Sequence, residues 1–502
     1  MKNIKEEDII EIVAGMKGKT STDYFGFSNL FIKKTIQSFI TPLTLLINRC
    51  ITSGHFPETL KITKIIPVHK KGDLNEAENY RPIALVPVIS KIIERVIAKQ
   101  LLQYFEDNKL FSKDQYGYRQ GRSTIDAIIA LVEEIMDAFE NKDVCKITFC
   151  DLSRAFDMVS HDILMKLVVS SGYEQSLSLF RSFLYNRSQY VYIKGYSSSL
   201  REIKRGVPQG SVLGPILFTF LSTDVGKYLP EKLILFADDT TLISRDGNRN
   251  QLEQKTRTNI TLFEEWLHSN ELILNKNKTY QKEFNIRAKI TDEPVKFLGL
   301  HIDSSLTWKV HTLKLREELS KAIYLIRKLK DEVPEEIMKT AYFGIFQSKM
   351  AYGIIVWGAA TEANIIFKLQ KKVVRIMANK GPRDTCRQLF SQLGIMTLSS
   401  LYIYKNLMYL KEKENIVTRG EQYTYNTRSK DNVYLPFTRL VKSNSNPNTM
   451  SVKLFNKLPL KIKQLKSSEF KKTINNFLMK NSFYNINEYL ENNWIDRQFA
   501  LD

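Results

Sequence analysis

The chain has 502 residues, with 74 lysines and arginines against 54 aspartates and glutamates, a net charge of +20. Such a length exceeds one ordinary core and implies roughly two to four domains or one multi-lobed enzyme, while 43% hydrophobic and 25% charged residues exclude a disordered chain. The basic excess points to polyanionic partners, nucleic acid first among them, against the blander reading of scattered surface charge.

In chain order, the charged start "MKNIKEEDII" is not a signal peptide. Residues 1–60 look helical: "FIKKTIQSFITPLTLLINRCI" has apolar residues at helical spacing, with Pro42 marking a break. "KITKIIPVHKKGDL" predicts a short strand running into a basic turn at Lys70, Lys71, Gly72 and Asp73, and residues 83–105 return to helical spacing. "STIDAIIALVEEIMDAFENK" (123–142) is an amphipathic helix with Ser123 or Thr124 as its N-cap. "KITFCDL" (146–152) predicts a strand, "LILFADDTTLIS" (233–244) a pair of strands meeting near its aspartates, and "VKFLGLHID" (295–303) a further strand. Beyond about residue 310 the chain becomes mostly helical and more basic, and "TYNTRSKDN" (424–432) and "VKSNSNPNT" (441–449) read as surface loops. Cys50, Cys145, Cys150 and Cys386 have no zinc-finger spacing and cannot staple a chain this long, so a reducing, intracellular compartment is expected. No apolar run approaches the roughly 20 residues of a membrane helix.

The run at 233–244 is built to be buried, yet carries Asp238 and Asp239 side by side. Two carboxylates in low dielectric cannot both ionise uncompensated; they share a proton or bind cations. At the bend of a hairpin they would face a cleft, where hard oxygen ligands suit Mg2+. Asp151 ends the strand "KITFC", and two central strands of one sheet can bring it to the pair. Two ions roughly 3.5–4 Å apart would clamp the attacking and leaving oxygens of an in-line phosphoryl displacement. That geometry suits nucleotidyl transfer, in which a 3′-hydroxyl attacks an α-phosphate and pyrophosphate leaves. An Asp-rich turn is the commoner explanation for Asp238 and Asp239 alone; Asp151 at a strand end of a basic chain weighs against it.

At this point the residues resemble a known family. "FADD" (236–239) has the form of the reverse-transcriptase Phe/Tyr-x-Asp-Asp box, and "FCDLSRAFD" (149–157) looks like its first carboxylate motif. "RGVPQGSVLGPILFTF" (205–220) is similar to the nucleotide-site loop and helix, "ELILNKNKT" (271–279) and "VKFLGLHID" to two later palm motifs, and "PVHKKGDLNEAENYRPIALVPVISKIIERVI" (67–97) to the fingers motifs. The ordered set covers about residues 50–305 and is closest in wording to jockey-like non-LTR retrotransposon polymerases. "LQKKVVRIM" (369–377), "YNTRS" (425–429) and "LFNKLP" (454–459) resemble that group's C-terminal region.

The resemblance implies an α+β, right-hand polymerase with a mostly helical C-terminal region. N-terminal extension and fingers would occupy 1–142, palm 143–305, thumb 306–412 and a basic C-terminal region 413–502. It implies DNA synthesis on an RNA template from a DNA primer and deoxynucleoside triphosphates, with two Mg2+ ions (Mn2+ as the alternative), in nucleus and cytoplasm and with no membrane. By the same resemblance, Asp151, Asp238 and Asp239 are the metal-binding triad, joined by the Leu152 carbonyl. Phe156 is the steric gate against a 2′-hydroxyl, with core packing as its bland alternative. Gln209 and Gly210, in a loop with Gly206 and Pro208, meet nucleotide or template; an ordinary strand-to-helix turn is the competing reading. Arg81 and a lysine of the Lys70–Lys71 pair meet the triphosphate, although a solvated basic turn explains either lysine alone equally well. Lys278 protonates the leaving pyrophosphate, or is simply a surface lysine. Phe297, Leu298 and Gly299 form the primer grip, or a plain strand. In "HTLKLREELSKAIYLIRKLK" (311–330), Leu319, Ala322, Ile323, Ile326 and Leu329 form an apolar face, and Lys321, Arg327, Lys328 and Lys330 a face that tracks phosphates.

Only about 60 residues precede the fingers motifs, too few for the endonuclease that full elements carry, so a 5′-truncated copy, a gene fragment or a protein working with an endonuclease from another protein is expected. "GKTSTDYFGFS" (18–28) departs from the family's Pro-Gly-rich version but keeps Asp23. The rival readings are a catalytically idle, domesticated or decayed nucleic-acid-binding remnant, and a maturase-type reverse transcriptase.

Overall fold

The computed structural model describes residues 1–70, 72–288, 293–413, 416–422 and 430–491. The chain forms two compact units: 1–127, 146–244 and 250–281 make the first, and 128–145, 245–249 and 282–502 the second. Eleven strands lie among the described residues: β1 (Ile62–His69), β2 (Tyr80–Leu85), β3 (Val144–Cys150), β4 (Arg187–Ile193), β5 (Tyr196–Ser197), β6 (Arg201–Ile203), β7 (Lys232–Phe236), β8 (Asp239–Asp246), β9 (Tyr280–Phe284), β10 (Val295–Phe297) and β11 (Leu300–Ile302). They form a four-stranded sheet in the order β7-β8-β3-β9, a five-stranded sheet in the order β2-β1-β4-β5 with β6 also on β4, and the hairpin β10-β11. Helices outweigh strands, so the α+β class holds.

The first unit is built on a long helix, Val88–Asp107, which buries Ile92, Ile93, Val96, Ile97, Leu101 and Phe105. Apolar residues recurring every three or four positions give it one such face. The helix Leu213–Leu221 is apolar but for Thr219 and buried but for Pro215, as that pattern requires. Phe105 and Phe220 stack at 4.2 Å where these two helices meet. Each such side chain removed from water contributes about 1.5–3 kcal/mol. Pro87 directs the switch from strand to helix: Ile83–Leu85 belong to β2, and helical structure begins at Val88 rather than at residue 83. Pro42 does not break a helix. It lies in the first turn of Ile40–Ser53, where a missing N–H costs nothing, and the break falls at Phe39.

Asp23 is buried. Its Oδ1 accepts from the amides of Phe25 and Phe27, both at 2.9 Å, and its Oδ2 from Val88 at 2.7 Å. The carboxylate therefore caps the long helix from a segment far away in sequence. Among the described residues no single helix is long and apolar enough to cross a membrane.

In the second unit, the helix Lys309–Leu329 packs on Ala363–Met377. It buries Leu315, Leu319, Ala322, Ile323 and Ile326 and exposes Lys321, Arg327 and Lys328, as the spacing predicts, while Leu329 is only half-buried. Gln370 of "LQKKVVRIM" is fully buried: it donates to Tyr342 Oη (3.0 Å) and the Met396 carbonyl (2.9 Å) and accepts from the Leu398 amide (2.8 Å). Two expectations are corrected here. "VKFLGLHID" is a hairpin rather than one strand, because Leu298 and Gly299 both take positive φ and reverse the chain. "VKSNSNPNT" is not a loop throughout: Asn446 caps a helix, Pro447–Asn456, with Pro447 at its first position. "YNTRS" lies outside the described residues.

Candidate active site

β3 is buried along nearly its whole length, as a central strand is, and ends where Asp151 begins. Alongside, the motif "ELILNKNKT" runs antiparallel to residues 151–153. Leu152 bridges to Leu274, Ser153 donates to the Ile273 carbonyl (2.8 Å), and Asn275 donates to the Asp151 carbonyl (2.8 Å). The Asp151 amide reaches Thr279 Oγ1 at 3.4 Å, and Lys278 Nζ lies 3.2 Å from Asp151 Oδ2. The late motif thus fixes the first carboxylate.

β7 and β8 form an antiparallel hairpin whose register pairs Phe236 with Asp239, so Ala237 and Asp238 make a two-residue turn. The tight turn, not a long loop, sets the two aspartates at the sheet end. Asp238 and Asp239 both feel the charge of Asp151, and Asp239 also that of Asp238. Partial burial, then Asp238 and Asp151, push the Asp239 carboxyl up to about 6 even though it is solvent-accessible. Burial and Asp151 raise Asp238 as well, against its own backbone hydrogen bond and the Arg81 guanidinium. Two phenols flank the pair and are raised in turn by burial and then by charge, Tyr118 by Asp238 and Tyr280 by Asp239. The sequence-predicted triad is therefore brought together, and Arg81, exposed on β2, is close enough to act on it.

Among the described residues no three His, Cys, Asp or Glu side chains close around a single point as a ready chelate. The donors nonetheless suit a hard divalent ion. They are carboxylate oxygens at a solvent-accessible strand end, and their mutual repulsion is only partly offset by Arg81 and Lys278.

Around the triad, Phe156 lies in a short helix, Ala155–Met158, its ring half-buried and 4.9 Å from that of Phe218, and its carbonyl accepts from Val207 at 2.8 Å. Packing and gating are thus compatible in one side chain. Gln209 donates from Nε2 to Asp157 Oδ1 at 2.8 Å. Gly210 has φ +102, and a Cβ there would meet the Ala84 carbonyl of β2 at 2.7 Å, so only glycine lets the loop lie on that strand. Lys70 is exposed beyond β1, its amide bonded to the Asn79 carbonyl (2.9 Å); Lys71 lies outside the described residues. Phe297, Leu298 and Gly299 belong to the second unit, where the Tyr352 hydroxyl donates to the Leu298 carbonyl.

Several contributors escape sequence reasoning. His161 donates from Nε2 to the Gly206 carbonyl at 2.8 Å and steadies the loop that carries Gln209 and Gly210, burial holding its pKa below the ordinary range. Glu94, wholly buried in the long helix, accepts from the amides of Val212 (2.6 Å) and Leu213 (3.2 Å), capping the helix that follows this loop. Burial pushes its carboxyl up, opposed by the charge of buried Arg187 and by those amides. Gln115 and Gly117 touch the Ala237–Asp238 turn itself.

The fold and site together define a polymerase palm, and residues 68–302 match the family model described as reverse transcriptase (RNA-dependent DNA polymerase). Residues 68–302 thus form a reverse transcriptase domain, and its curated relatives are polymerases of jockey-like, non-LTR retrotransposons. It is 28% identical over 408 residues to the probable RNA-directed DNA polymerase from transposon BS of Drosophila melanogaster, covering 76% of this chain and 45% of that one. It is 27% identical over 396 residues to the RNA-directed DNA polymerase from mobile element jockey of the same fly, covering 74% and 43%. This chain thus spans less than half the length of the curated relatives it matches. A solved structure of apo telomerase from Candida tropicalis is similar at 14% identity and a TM-score of 0.41, covering 73% of this chain and 66% of that one.

Proposed function

We propose that this chain extends a DNA primer on an RNA template by nucleotidyl transfer from deoxynucleoside triphosphates. The observation that supports it most is the convergence of Asp151, Asp238 and Asp239, where the charge of Asp151 reaches both members of the adjacent pair. These three, with the Leu152 carbonyl, would hold two divalent cations, Mg2+ or Mn2+, which when bound neutralise phosphate charge and lower the pKa of the primer hydroxyl. Arg81, with Lys70 or Lys71, binds the triphosphate; the guanidinium offers a planar two-pronged donor and the ammonium a point charge. Phe156 lies against the sugar and leaves no room for a 2′-hydroxyl, and Gln209 exchanges its bond to Asp157 for one to the incoming nucleotide or template base. Lys278 delivers a proton to the departing pyrophosphate. In the second unit, the turn at Phe297, Leu298 and Gly299 supports the primer end, and Lys321, Arg327 and Lys328 line a thumb helix that tracks phosphates. Fingers, palm and thumb follow the boundaries 1–142, 143–305 and 306–412, and the polypeptide works inside the cell, in nucleus and cytoplasm.

The test is primer extension on poly(rA)/oligo(dT) with the wild-type chain beside Asp238→Ala. Wild type is expected to extend the primer in Mg2+ and stop on chelation, with the variant at the assay floor. Equal signals from the two proteins would overturn the reading in favour of an idle nucleic-acid binder.

A further inference from the structure

Gln115 lies in "KDQYGYRQGRST" (113–124), a stretch with no helical or alternating apolar pattern, yet it is 1% exposed. Its carboxamide oxygen accepts from the amide of Gly117 at 2.8 Å and from the amide of Ala237 at 3.2 Å. Its Nε2 donates to Ser222 Oγ at 3.3 Å, and that hydroxyl donates to the Thr219 carbonyl at 2.9 Å. The flanking backbone forms an extra parallel rung on β7: Leu235 donates to the Asp114 carbonyl (2.9 Å) and Tyr116 donates to the Leu235 carbonyl (2.8 Å). At the end of the rung, Gly117 comes so near that a Cβ would lie 2.5 Å from the Ala237 nitrogen. Ala237 has φ +57, a left-handed conformation that alanine keeps only where its surroundings hold it. The surroundings that do so are Gln115 and Gly117.

We propose that Gln115, with Gly117 giving it room, is a positioning residue that locks Ala237 in the left-handed turn and so sets where the Asp238 and Asp239 carboxylates stand. The same side chain ties this turn to Ser222, at the end of the helix that follows the nucleotide-site loop. Two parts of the site that are distant in sequence are thereby fixed to each other through one buried amide, three of whose four hydrogen-bonding positions are used. The catalytic consequence rests on the nucleotidyl-transfer reading; the clamp on the turn does not.

The test compares wild type, Gln115→Met, which keeps shape but removes the acceptor, and Gly117→Ala, which keeps the acceptor but crowds the turn. Hydrogen exchange of peptides spanning 233–240 is measured in metal-free protein. Mn2+ binding is followed by electron paramagnetic resonance, with Asp238→Asn to localise the ion, and primer extension is measured in Mg2+. Gln115→Met is expected to raise exchange at the turn about tenfold, the scale of one lost hydrogen bond. It should weaken Mn2+ binding and lower kcat by about as much, leaving KM for the nucleotide and Kd for the primer–template within about twofold. Gly117→Ala should move each quantity in the same direction. Unchanged exchange and Mn2+ affinity in both variants would overturn the clamp, as would a loss confined to KM. If both variants lose the folded state, the residues serve the core and the proposal falls. If wild type fails to extend a primer while exchange and Mn2+ binding shift as expected, the clamp stands and the polymerase reading falls.

Discussion

Lys278 Nζ lies 3.2 Å from Asp151 Oδ2, so the lysine assigned to the leaving group also neutralises one member of the carboxylate triad. Both groups are well exposed, and such pairs contribute less than about 1 kcal/mol. Lys278→Met is therefore expected to tighten Mn2+ binding to the substrate-free protein by no more than about fivefold at low salt. The difference should vanish near 1 M salt, where exposed charges are screened. Titration by electron paramagnetic resonance at two ionic strengths checks it, and looser binding in the variant would contradict it.

The Glu94–Arg187 pair makes a stronger claim on stability. Glu94 caps the helix at Val212 and Leu213, while Arg187 donates to the Phe183 carbonyl at 3.0 Å and leaves Nε and Nη2 without hydrogen-bond partners. Glu94→Ala would strand a buried guanidinium and should cost about 3–5 kcal/mol. Replacing both residues by leucine should recover much of that loss in urea denaturation. A double variant no more stable than Glu94→Ala would show that the helix cap, not the buried charge, dominates.

Phe156 is half-buried against Phe218, so its ring can be trimmed without opening the whole core. Phe156→Val is expected to raise the ratio of ribonucleotide to deoxyribonucleotide kcat/KM by about tenfold or more, as a pocket loses steric exclusion. Single-nucleotide insertion with dTTP and UTP measures it. An equal fall for both nucleotides would mean the ring only packs.

Within the second unit, burial pushes the Glu133 carboxyl up to about 7, with Asp137 and Glu134 adding to the rise and Lys413 and the Tyr409 hydroxyl opposing it. Its folded pKa lies above the unfolded one. The favourable contribution is therefore complete below about pH 4.5 and is lost as pH rises through 7, by at most about 3 kcal/mol. Glu133→Gln should be nearer wild-type stability at pH 5 and gain on it at pH 8 in thermal denaturation. Parallel pH curves for the two proteins would refute this.

What the sequence showed best was periodic or local. Asp151 at a strand end and the Asp238–Asp239 turn were readable because charges interrupt apolar runs only where a chain leaves the interior. The apolar face of Lys309–Leu329 followed from three-and-four spacing. What could not be read depends on partners far along the chain. Glu94 sits in a helical pattern as an ordinary surface glutamate would, and its burial is explained by Ser90 one turn away together with the distant Val212, Leu213 and Arg187. Gln115 has no local signal, because its partners are Ala237 and Ser222. The reversal inside "VKFLGLHID" was hidden because Leu298 takes a positive φ that leucine rarely adopts.

The bond from Asp23 to the Val88 amide has a practical meaning for anyone cutting the gene. The recognisable motifs start at Pro67, but the long helix Val88–Asp107 beneath them is held at its first turn by a residue more than sixty positions upstream. Ile9, Val13 and Ile32 line the same interior. A fragment trimmed to the stretch that identifies it would expose an apolar wall and an uncapped helix, and should emerge from expression as aggregate.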